Sequence, residues 1–216
     1  MNSRIKAQLI ADAGSVVARH PSLAIEWKDG LPHKIAGKYI VMDSAGQPQG
    51  DYDIEVRIPS AYPNGFPVLK ETSIKIPRDP DYHMSVGGTA CVENPRGIML
   101  LERQGIILVD YFNRFVHRYF CWQLVAEIDG IAELPGWAHG QTGIKQFYRE
   151  CCGTDDENQV RQVLAIIAYR RGPQRNHPCF CGSGRKYKQC HLAMVQRLDK
   201  LDASVVASDL RLFSAE

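Results

Sequence analysis

A cluster of three cysteines and one histidine near the C-terminal end places the strongest constraint on how this chain can fold. Cys179, Cys181 and Cys190 fall within twelve residues, and His191 follows directly. The remaining four cysteines are scattered along the chain at Cys91, Cys121, Cys151 and Cys152. An odd total with metal-like spacing indicates a reducing compartment and argues against a disulfide scaffold.

Three thiolates and one imidazole complete a tetrahedral shell, so this segment predicts a structural Zn²⁺ site with no position open for a substrate. Redox chemistry or simple surface thiols are the other interpretation of these cysteines. Residues 178–191, PCFCGSGRKYKQCH, resemble the SEC-C zinc-binding motif at the end of the bacterial preprotein translocase motor. So short a segment has almost no core, and we expect it to unfold without its metal.

Composition sets few limits on function. The chain has 216 residues, 44% hydrophobic and 23% charged, which is typical of a soluble globular protein. The formal net charge of +2 is too small to imply nucleic acid or a membrane as partner. The longest apolar runs are far shorter than a membrane span, and the N-terminus carries no signal-peptide stretch, so we expect a cytoplasmic protein.

Hydrophobic periodicity predicts an α+β fold. Apolar residues recur at helical spacing over 3–19, and strand-like runs follow at Leu23–Trp27, Ile35–Met42 and Tyr52–Ile58. Ile74–Ile76 is a candidate for a short fourth strand. Because the connections are short, an antiparallel meander behind one N-terminal helix is the natural arrangement.

The second half of the chain is predicted to be mainly helical. A long segment rich in Pro, Gly and Asp, 72–97, comes first, and long ordered loops of this kind tend to carry function. Helices are predicted over about 105–128, 143–151 and 155–170, and from 192 to at least 201. We therefore divide the chain into a domain at 1–170, a linker at 171–177, a zinc knuckle at 178–192 and a helical tail at 193–216.

Cys91 is the candidate nucleophile. It stands in the loop sequence GGTACV, about 20 residues after the proline-punctuated run Ile58–Pro67, and His83 lies eight residues before it. A cysteine taken alone is more often a small buried residue than a reactive one. The glycine-rich loop around Cys91 favours a reactive cysteine over a buried one.

The first 130 residues resemble ubiquitin-conjugating enzymes. The segment Pro59–Val68 is similar to their proline turn, with Phe66 in place of a proline, and Gly88–Val92 is similar to the segment around their catalytic cysteine. The resemblance implies a UBC-like fold in which Cys91 accepts an acyl group as a thioester and passes it to an amine. The usual His-Pro-Asn signature and a tryptophan after the cysteine are absent.

These departures, with the segment Gly136–Gly140, are similar to bacterial relatives of those enzymes, some of which are found in CBASS anti-phage operons. That resemblance implies a protein cargo, the C-terminus of a CD-NTase or cGAS-like nucleotidyltransferase. The chain has no phosphate-cradling glycine motif, so activation of the cargo would come from a separate activating enzyme or be bypassed.

His83 falls where the family's Asn would be, and its imidazole could donate to the oxyanion or deprotonate the attacking amine. An exposed loop histidine is the alternative. His139 follows Pro135-Gly136 and could line the same site, or be structural.

Two further functions stay open: a non-catalytic protein-binding module of the same fold, and a Cys/His hydrolase built on Cys91 and His83. The hydrolase lacks an evident third orienting group.

The basic segment around the cysteine cluster indicates a possible docking role. Between Arg170 and His191 there are six Arg or Lys residues and no Asp or Glu. Some of this charge could balance three metal-bound thiolates, or it could attract an acidic partner. We favour a protein over nucleic acid as the partner, because Phe180 and Tyr187 are the only aromatic residues in the segment.

Overall fold

The computed structural model describes residues 1–130 and 138–213, which fall into two compact units. The first comprises Met1–Glu93 and the described part of Leu101–Gly136. The second comprises Asn94–Leu100 and the described part of Trp137–Glu216. The predicted α+β class is confirmed. The domain boundaries drawn from the sequence at 170, 178 and 193 stay a prediction.

The first unit opens with helix α1, Ser3–Arg19, as predicted. The Asn2 side chain caps it by accepting a hydrogen bond from the Ile5 amide at 2.9 Å, which satisfies one of the amides left without a partner at a helix start. Leu9, Ala13 and Val16 form its buried face. This spacing of four and three residues places them on one side of the helix.

A four-stranded antiparallel sheet follows α1, in the order β1-β2-β3-β4. Its strands are β1 Leu23–Lys28, β2 Leu31–Met42, β3 Pro48–Arg57 and β4 Val68–Glu71. The meander was predicted correctly, but the fourth strand was misplaced at Ile74–Ile76. β4 pairs with Ile54–Arg57 instead, and Ile74 is exposed in a left-handed conformation at φ 59°, which ends extended pairing.

Helices lie in each of the predicted segments, but α2 at Pro95–Gln104 was not predicted, and the segment expected as one helix over about 105–128 is divided by a π-helical turn. In chain order they are α2 Pro95–Gln104, α3 Leu108–Tyr111, α4 His117–Asp129, α5 Gly140–Cys152, α6 Glu157–Tyr169, α7 Leu192–Leu198 and α8 Ala203–Leu210. A single π-helical turn, Phe112–Val116, joins α3 to α4. None of the helices in the described part of the chain is long and apolar enough to span a membrane.

The core of the first unit lies between the sheet and the helices α1, α3 and α4. Aromatic side chains dominate it, and the rings of Tyr52 on β3 and Phe120 on α4 stack with centroids 4.4 Å apart. A packed aromatic pair of this kind contributes about 0.5–1.5 kcal/mol beyond the area it buries. This packing fixes α4 against the sheet.

The second unit has its own core, and the cysteine-rich segment belongs to it. Cys179 and Tyr187 are buried in the same cluster as Val160, Leu164 and Leu198. The segment is therefore packed on helices and does not stand apart as an isolated knuckle.

A partly buried ion pair joins parts of the second unit that are far apart in sequence. Arg96, at the start of α2, donates two hydrogen bonds to the Asp209 carboxylate on α8, at 2.6 and 2.7 Å. The Tyr148 hydroxyl on α5 donates a third, at 2.8 Å. Bidentate guanidinium–carboxylate pairs are among the stronger hydrogen-bonded contacts in proteins, so within the second unit this cluster joins the first turn of α2 to α5 and α8.

Candidate functional site

Cys91 lies at the base of a tight hairpin-like loop in the first unit. Met84 and Ala90 pair as an isolated antiparallel bridge, and the Cys91 amide donates to the His83 carbonyl at 2.7 Å. Met84 and Ala90 are buried, whereas Cys91 is exposed. The loop thus holds its apolar residues in the core and leaves the thiol at the surface.

The loop is anchored on the end of strand β4. The Ala90 amide donates to the Leu69 carbonyl at 3.0 Å, and the Glu71 amide donates to the Gly88 carbonyl at 2.9 Å. Gly88 has φ +82°, and a Cβ there would come within 2.8 Å of the Glu71 carbonyl oxygen. Glycine is required at this position because backbone and backbone approach too closely for any side chain.

His83 is held in the left-handed conformation directly beside Cys91. Its φ and ψ are 52° and 39°, and its amide donates to the Pro80 carbonyl at 2.8 Å. This conformation costs an L-residue about 1–2 kcal/mol and persists only where the surrounding contacts impose it. The structure therefore brings the backbones of His83 and Cys91 together, while the chemical roles assigned to them stay predictions.

Two residues that sequence reasoning missed hold the peptide before His83. The Tyr119 hydroxyl and the Gln123 side-chain amide, both on α4, donate to the Tyr82 carbonyl at 3.1 and 2.9 Å. Both side chains are buried. The signal that the sequence offered was a glutamine four residues after a tyrosine, a spacing that places both on one helix face.

An ion pair between Glu71 and Arg78 lies where the Cys91 loop attaches to strand β4. Glu71, at the end of β4, has no exposed side-chain area, and its carboxylate lies 2.6 Å from the Arg78 guanidinium. Arg78 also donates to the Glu71 carbonyl at 2.9 Å, and the Ser73 hydroxyl donates to the Glu71 carboxylate. A charge buried this fully is tolerated because it is paired and hydrogen-bonded.

The electrostatic setting of Cys91 favours the neutral thiol. Partial desolvation against the surrounding protein raises the pKa of the Cys91 thiol above its ordinary value, although the residue is exposed. The thiolate is the nucleophilic form, so only a small fraction of Cys91 is reactive at neutral pH. Any acyl exchange at Cys91 would therefore accelerate as the pH rises.

We expect the alkylation of Cys91 by iodoacetamide to rise steadily from pH 7 to pH 9 without reaching a plateau. The reason is that a raised pKa keeps the thiolate fraction below that of an ordinary cysteine until the pH exceeds the folded-state pKa. Mass spectrometry of the Cys91 peptide measures the rate. The same peptide in urea is the control and should react faster at pH 8; equal rates would contradict the shift.

His139 lies in the second unit, directly before helix α5, in extended backbone with φ −82° and ψ 157°. Its side chain is exposed. Gly136 and Trp137, part of the segment used in the sequence comparison with bacterial relatives, lie outside the described residues. A contribution of His139 to the Cys91 site stays a prediction.

The other scattered cysteines have ordinary packing environments. Cys121 on α4 is half-buried, and its Sγ lies 3.4 Å from the Nε2 atom of His117. Cys151 and Cys152 are half-buried at the end of α5, and burial raises the pKa of Cys152 to about 12. A thiol with so high a pKa stays protonated at neutral pH and is a poor nucleophile.

Cys179, Cys181, Cys190 and His191 converge as the sequence predicted. Their ligand atoms all lie within 4.8 Å of one another. The Cys181 and Cys190 sulfurs are 3.6 Å apart, and the His191 Nδ1 atom is 3.2 Å from the Cys179 sulfur and 3.1 Å from the Cys190 sulfur. Metal–sulfur and metal–nitrogen bonds of about 2.3 and 2.0 Å give tetrahedral edges of roughly 3.8 Å between two sulfurs and roughly 3.5 Å between sulfur and nitrogen. The observed separations are close to that shell.

Residues 175–193 match the SEC-C motif. A stretch of 49 residues, 22% of this chain, is 37% identical to the protein translocase subunit SecA of Borreliella burgdorferi strain ZS7, and the SecA of strain B31 gives the same values. The stretch spans 6% of each SecA chain, so the similarity concerns a small module. No solved structure matches the chain.

The SEC-C motif and the converging donors together indicate a metal site compatible with zinc. Three sulfurs and one imidazole nitrogen are the donor set that closed tetrahedral sites use. The backbone of the segment is also organised for it, because the Cys179 amide donates to the Arg185 carbonyl at 2.8 Å and closes the loop between the two halves of the ligand set. Sequence reasoning identified every residue of this cluster.

Proposed function

We propose that this chain is a cysteine-dependent conjugating transferase with a UBC-like first domain, which carries a protein C-terminus as a thioester on Cys91 and passes it to an amine. The observation that carries the proposal is the exposed Cys91 thiol at the base of a rigid loop, beside a strained His83. Unusual backbone conformations cluster at functional sites, which supports a chemical role for this loop.

The transfer consists of two exchanges at one sulfur atom. In the first, the Cys91 thiolate attacks an activated acyl group, a carbon–sulfur bond forms and the previous carrier leaves. In the second, an amine attacks the thioester carbonyl, the oxyanion collapses, the carbon–sulfur bond breaks and Cys91 leaves as a thiolate. The amine proton passes to a base, ultimately water. A sulfur carrier suits this chemistry because a thioester stays activated and transferable.

His83 is the group we assign to the oxyanion or to the amine proton. A single fixed donor aimed at a developing oxyanion lowers the activation free energy by about 2.7–4 kcal/mol. An imidazole can donate through a ring N–H when neutral, or accept a proton near neutral pH. The left-handed backbone conformation of His83 fixes the position of its Cβ atom, from which the imidazole extends, relative to Cys91.

We further propose that the cargo is the C-terminus of a CD-NTase-type cyclic-oligonucleotide synthase in bacterial antiviral defence, delivered by a separate activating enzyme in the cytoplasm. This step follows from the resemblance to bacterial conjugating enzymes around Cys91. In the same proposal, the metal held by the SEC-C motif is Zn²⁺ in a structural role, since the four ligands leave no coordination position for a substrate.

Replacing Cys91 with serine separates the transferase from its alternatives. Cargo and an activating enzyme are incubated with the wild-type protein and with Cys91→Ser, and adducts are resolved on a non-reducing gel. We expect the wild-type protein to form an adduct that reductant removes, and Cys91→Ser to form one that reductant leaves intact, because an oxygen ester is less reactive than a thioester. Transfer to amines should fall by at least about 10³-fold.

Cys121→Ser is the matched control, since Cys121 is a half-buried cysteine of the same unit. It should form the reductant-sensitive adduct as the wild-type protein does. No adduct from any of the proteins would refute the transferase, and cleavage of the cargo would favour a hydrolase.

A protein-docking role is the second candidate, and a groove in the second unit favours it. The groove has a volume of about 660 Å³ and is lined by α6 residues, including Ile166 and Tyr169, and by Arg171 and Phe180. Tyr169 is largely exposed. An apolar groove with Arg171 at its edge suits a peptide that offers an apolar anchor residue and an acidic side chain. A peptide that bound here without any adduct at Cys91 would support this function instead.

A further inference from the structure

We propose that Tyr119 and Gln123 are positioning residues for the Cys91–His83 pair. Together they hold the Tyr82 carbonyl and so impose the backbone conformation that keeps His83 beside Cys91. We refer to these two side chains and the carbonyl as the α4 clamp. The inference rests on the proposed function, because it assigns to the clamp a task in chemistry at Cys91.

The clamp has two buried donors on one acceptor. The Tyr119 hydroxyl lies 3.1 Å and the Gln123 side-chain nitrogen 2.9 Å from the Tyr82 carbonyl oxygen. Gln123 is 3% exposed, so its amide has little access to water as a substitute partner. A carbonyl oxygen has two lone pairs, and two protein donors fill both. The direction of this carbonyl is therefore fixed.

The clamped carbonyl belongs to the same planar peptide unit as the His83 amide. That amide donates to the Pro80 carbonyl at 2.8 Å, so the peptide is held at both ends. From this fixed peptide, His83 adopts the left-handed region, and its own carbonyl accepts the Cys91 amide at 2.7 Å. Hydrogen bonds and covalent bonds thus run without a gap from α4 to Cys91.

The π-helical turn explains why both donors face the loop. One extra residue in the turn Phe112–Val116 rotates everything after it by about 100° around the helix axis, compared with an uninterrupted α-helix. Tyr119 and Gln123 are four residues apart and therefore share the face that this rotation sets. Irregular turns of this kind are frequent at functional sites.

The Tyr119 hydroxyl is a permanent donor in this position. Burial raises the pKa of Tyr119 above its ordinary value, and the nearby Cys91 thiolate would raise it further. The phenol thus stays protonated over the range in which Cys91 ionises, and the clamp does not open as the thiolate forms.

The test measures the loop and the chemistry separately in Tyr119→Phe, Gln123→Leu and the double variant. Amide hydrogen exchange at His83 and Cys91 reports the loop without any cargo. We expect exchange at the Cys91 amide to rise about tenfold for each single variant, the effect of one lost hydrogen bond. Single-turnover discharge of a preformed Cys91 thioester to free lysine should slow about tenfold, while its pH dependence shifts.

Tyr39→Phe is the matched control. Tyr39, on strand β2, is as buried as Tyr119. Its hydroxyl lies 3.2 Å from the Nδ1 atom of His117 on α4, the helix that also carries Tyr119 and Gln123. It should lower thermal stability by a similar amount and leave both exchange at Cys91 and discharge unchanged. If Tyr119→Phe and Gln123→Leu behave as Tyr39→Phe does, the pair is merely structural and the inference is overturned.

A double-mutant cycle that combines His83→Gly with Gln123→Leu tests whether the α4 clamp acts through residue 83. Glycine adopts the left-handed region without a steric penalty, so the clamp has less to impose. The effect of Gln123→Leu on Cys91 exchange should then be at least about threefold smaller than in the presence of His83. Strictly additive effects would overturn the inference. Because exchange needs no cargo, it settles the clamp even if wild-type Cys91 never forms a thioester, a result that would refute only the proposed function.

Discussion

Removal of the metal from the SEC-C motif is expected to unfold the second unit at 37 °C. Cys179 and Tyr187 belong to the same core as α6 and α7, so loss of the ligand shell exposes side chains that those helices need. Structural zinc contributes about 10–16 kcal/mol of apparent binding free energy in small motifs at pH 7. A whole domain is stable by only about 5–15 kcal/mol. The binding free energy of the metal is therefore as large as the whole unfolding free energy of a typical domain.

A strong chelator or the variant Cys190→Ala supplies the test, and far-ultraviolet circular dichroism measures the loss of helix. The metal content of the wild-type protein is measured in the same samples. Cys152→Ala is the control, because this cysteine belongs to the same unit and lies outside the ligand cluster. Retention of the full helical signal by metal-free Cys190→Ala would show that the apolar core suffices without the ion.

Arg78→Ala is expected to destabilise the first unit by about 3–5 kcal/mol. The substitution leaves the Glu71 carboxylate, which has no exposed area, without its counter-ion at 2.6 Å. The Glu71 carbonyl also loses the Arg78 hydrogen bond at 2.9 Å, beside the point where the loop attaches to β4. Chemical denaturation gives the free energy of unfolding directly.

Two further variants separate the buried charge from charge in general. Arg57→Ala removes an exposed cation 3.6 Å from Glu55 and should cost less than about 1 kcal/mol. The double variant Glu71→Leu/Arg78→Met removes both buried charges and should recover much of the loss, because no unpaired ion remains. A double variant as unstable as Arg78→Ala alone would contradict this explanation.

Much of the architecture could be predicted from the sequence because it depends on local periodicity. The spacing of apolar residues over 3–19 and in the three long strands was strong, and the corresponding elements formed. The SEC-C motif was equally accessible, because its ligands lie close together in the chain and the metal dictates their convergence. Neither inference required knowledge of distant contacts.

The supports of the Cys91 loop could not be predicted because they depend on pairs far apart in sequence. Gln123 and Tyr82 are 41 residues apart, and nothing local marks either as a partner of the other. The placement of β4 failed for a related reason. Val68–Glu71 is short, and its pairing with β3 outweighed the stronger local pattern at Ile74–Ile76, which a left-handed residue then interrupted.

The order of the chain through the two units has a practical consequence for anyone who wishes to express them separately. Asn94–Leu100 packs with the second unit although residues of the first unit precede and follow it. A fragment that ends near residue 130 would keep Arg96 but lose Asp209 and Tyr148, and would leave Leu100 without its apolar neighbours. Truncation is thus expected to yield an aggregation-prone first half, whereas point substitutions in the intact chain preserve both cores.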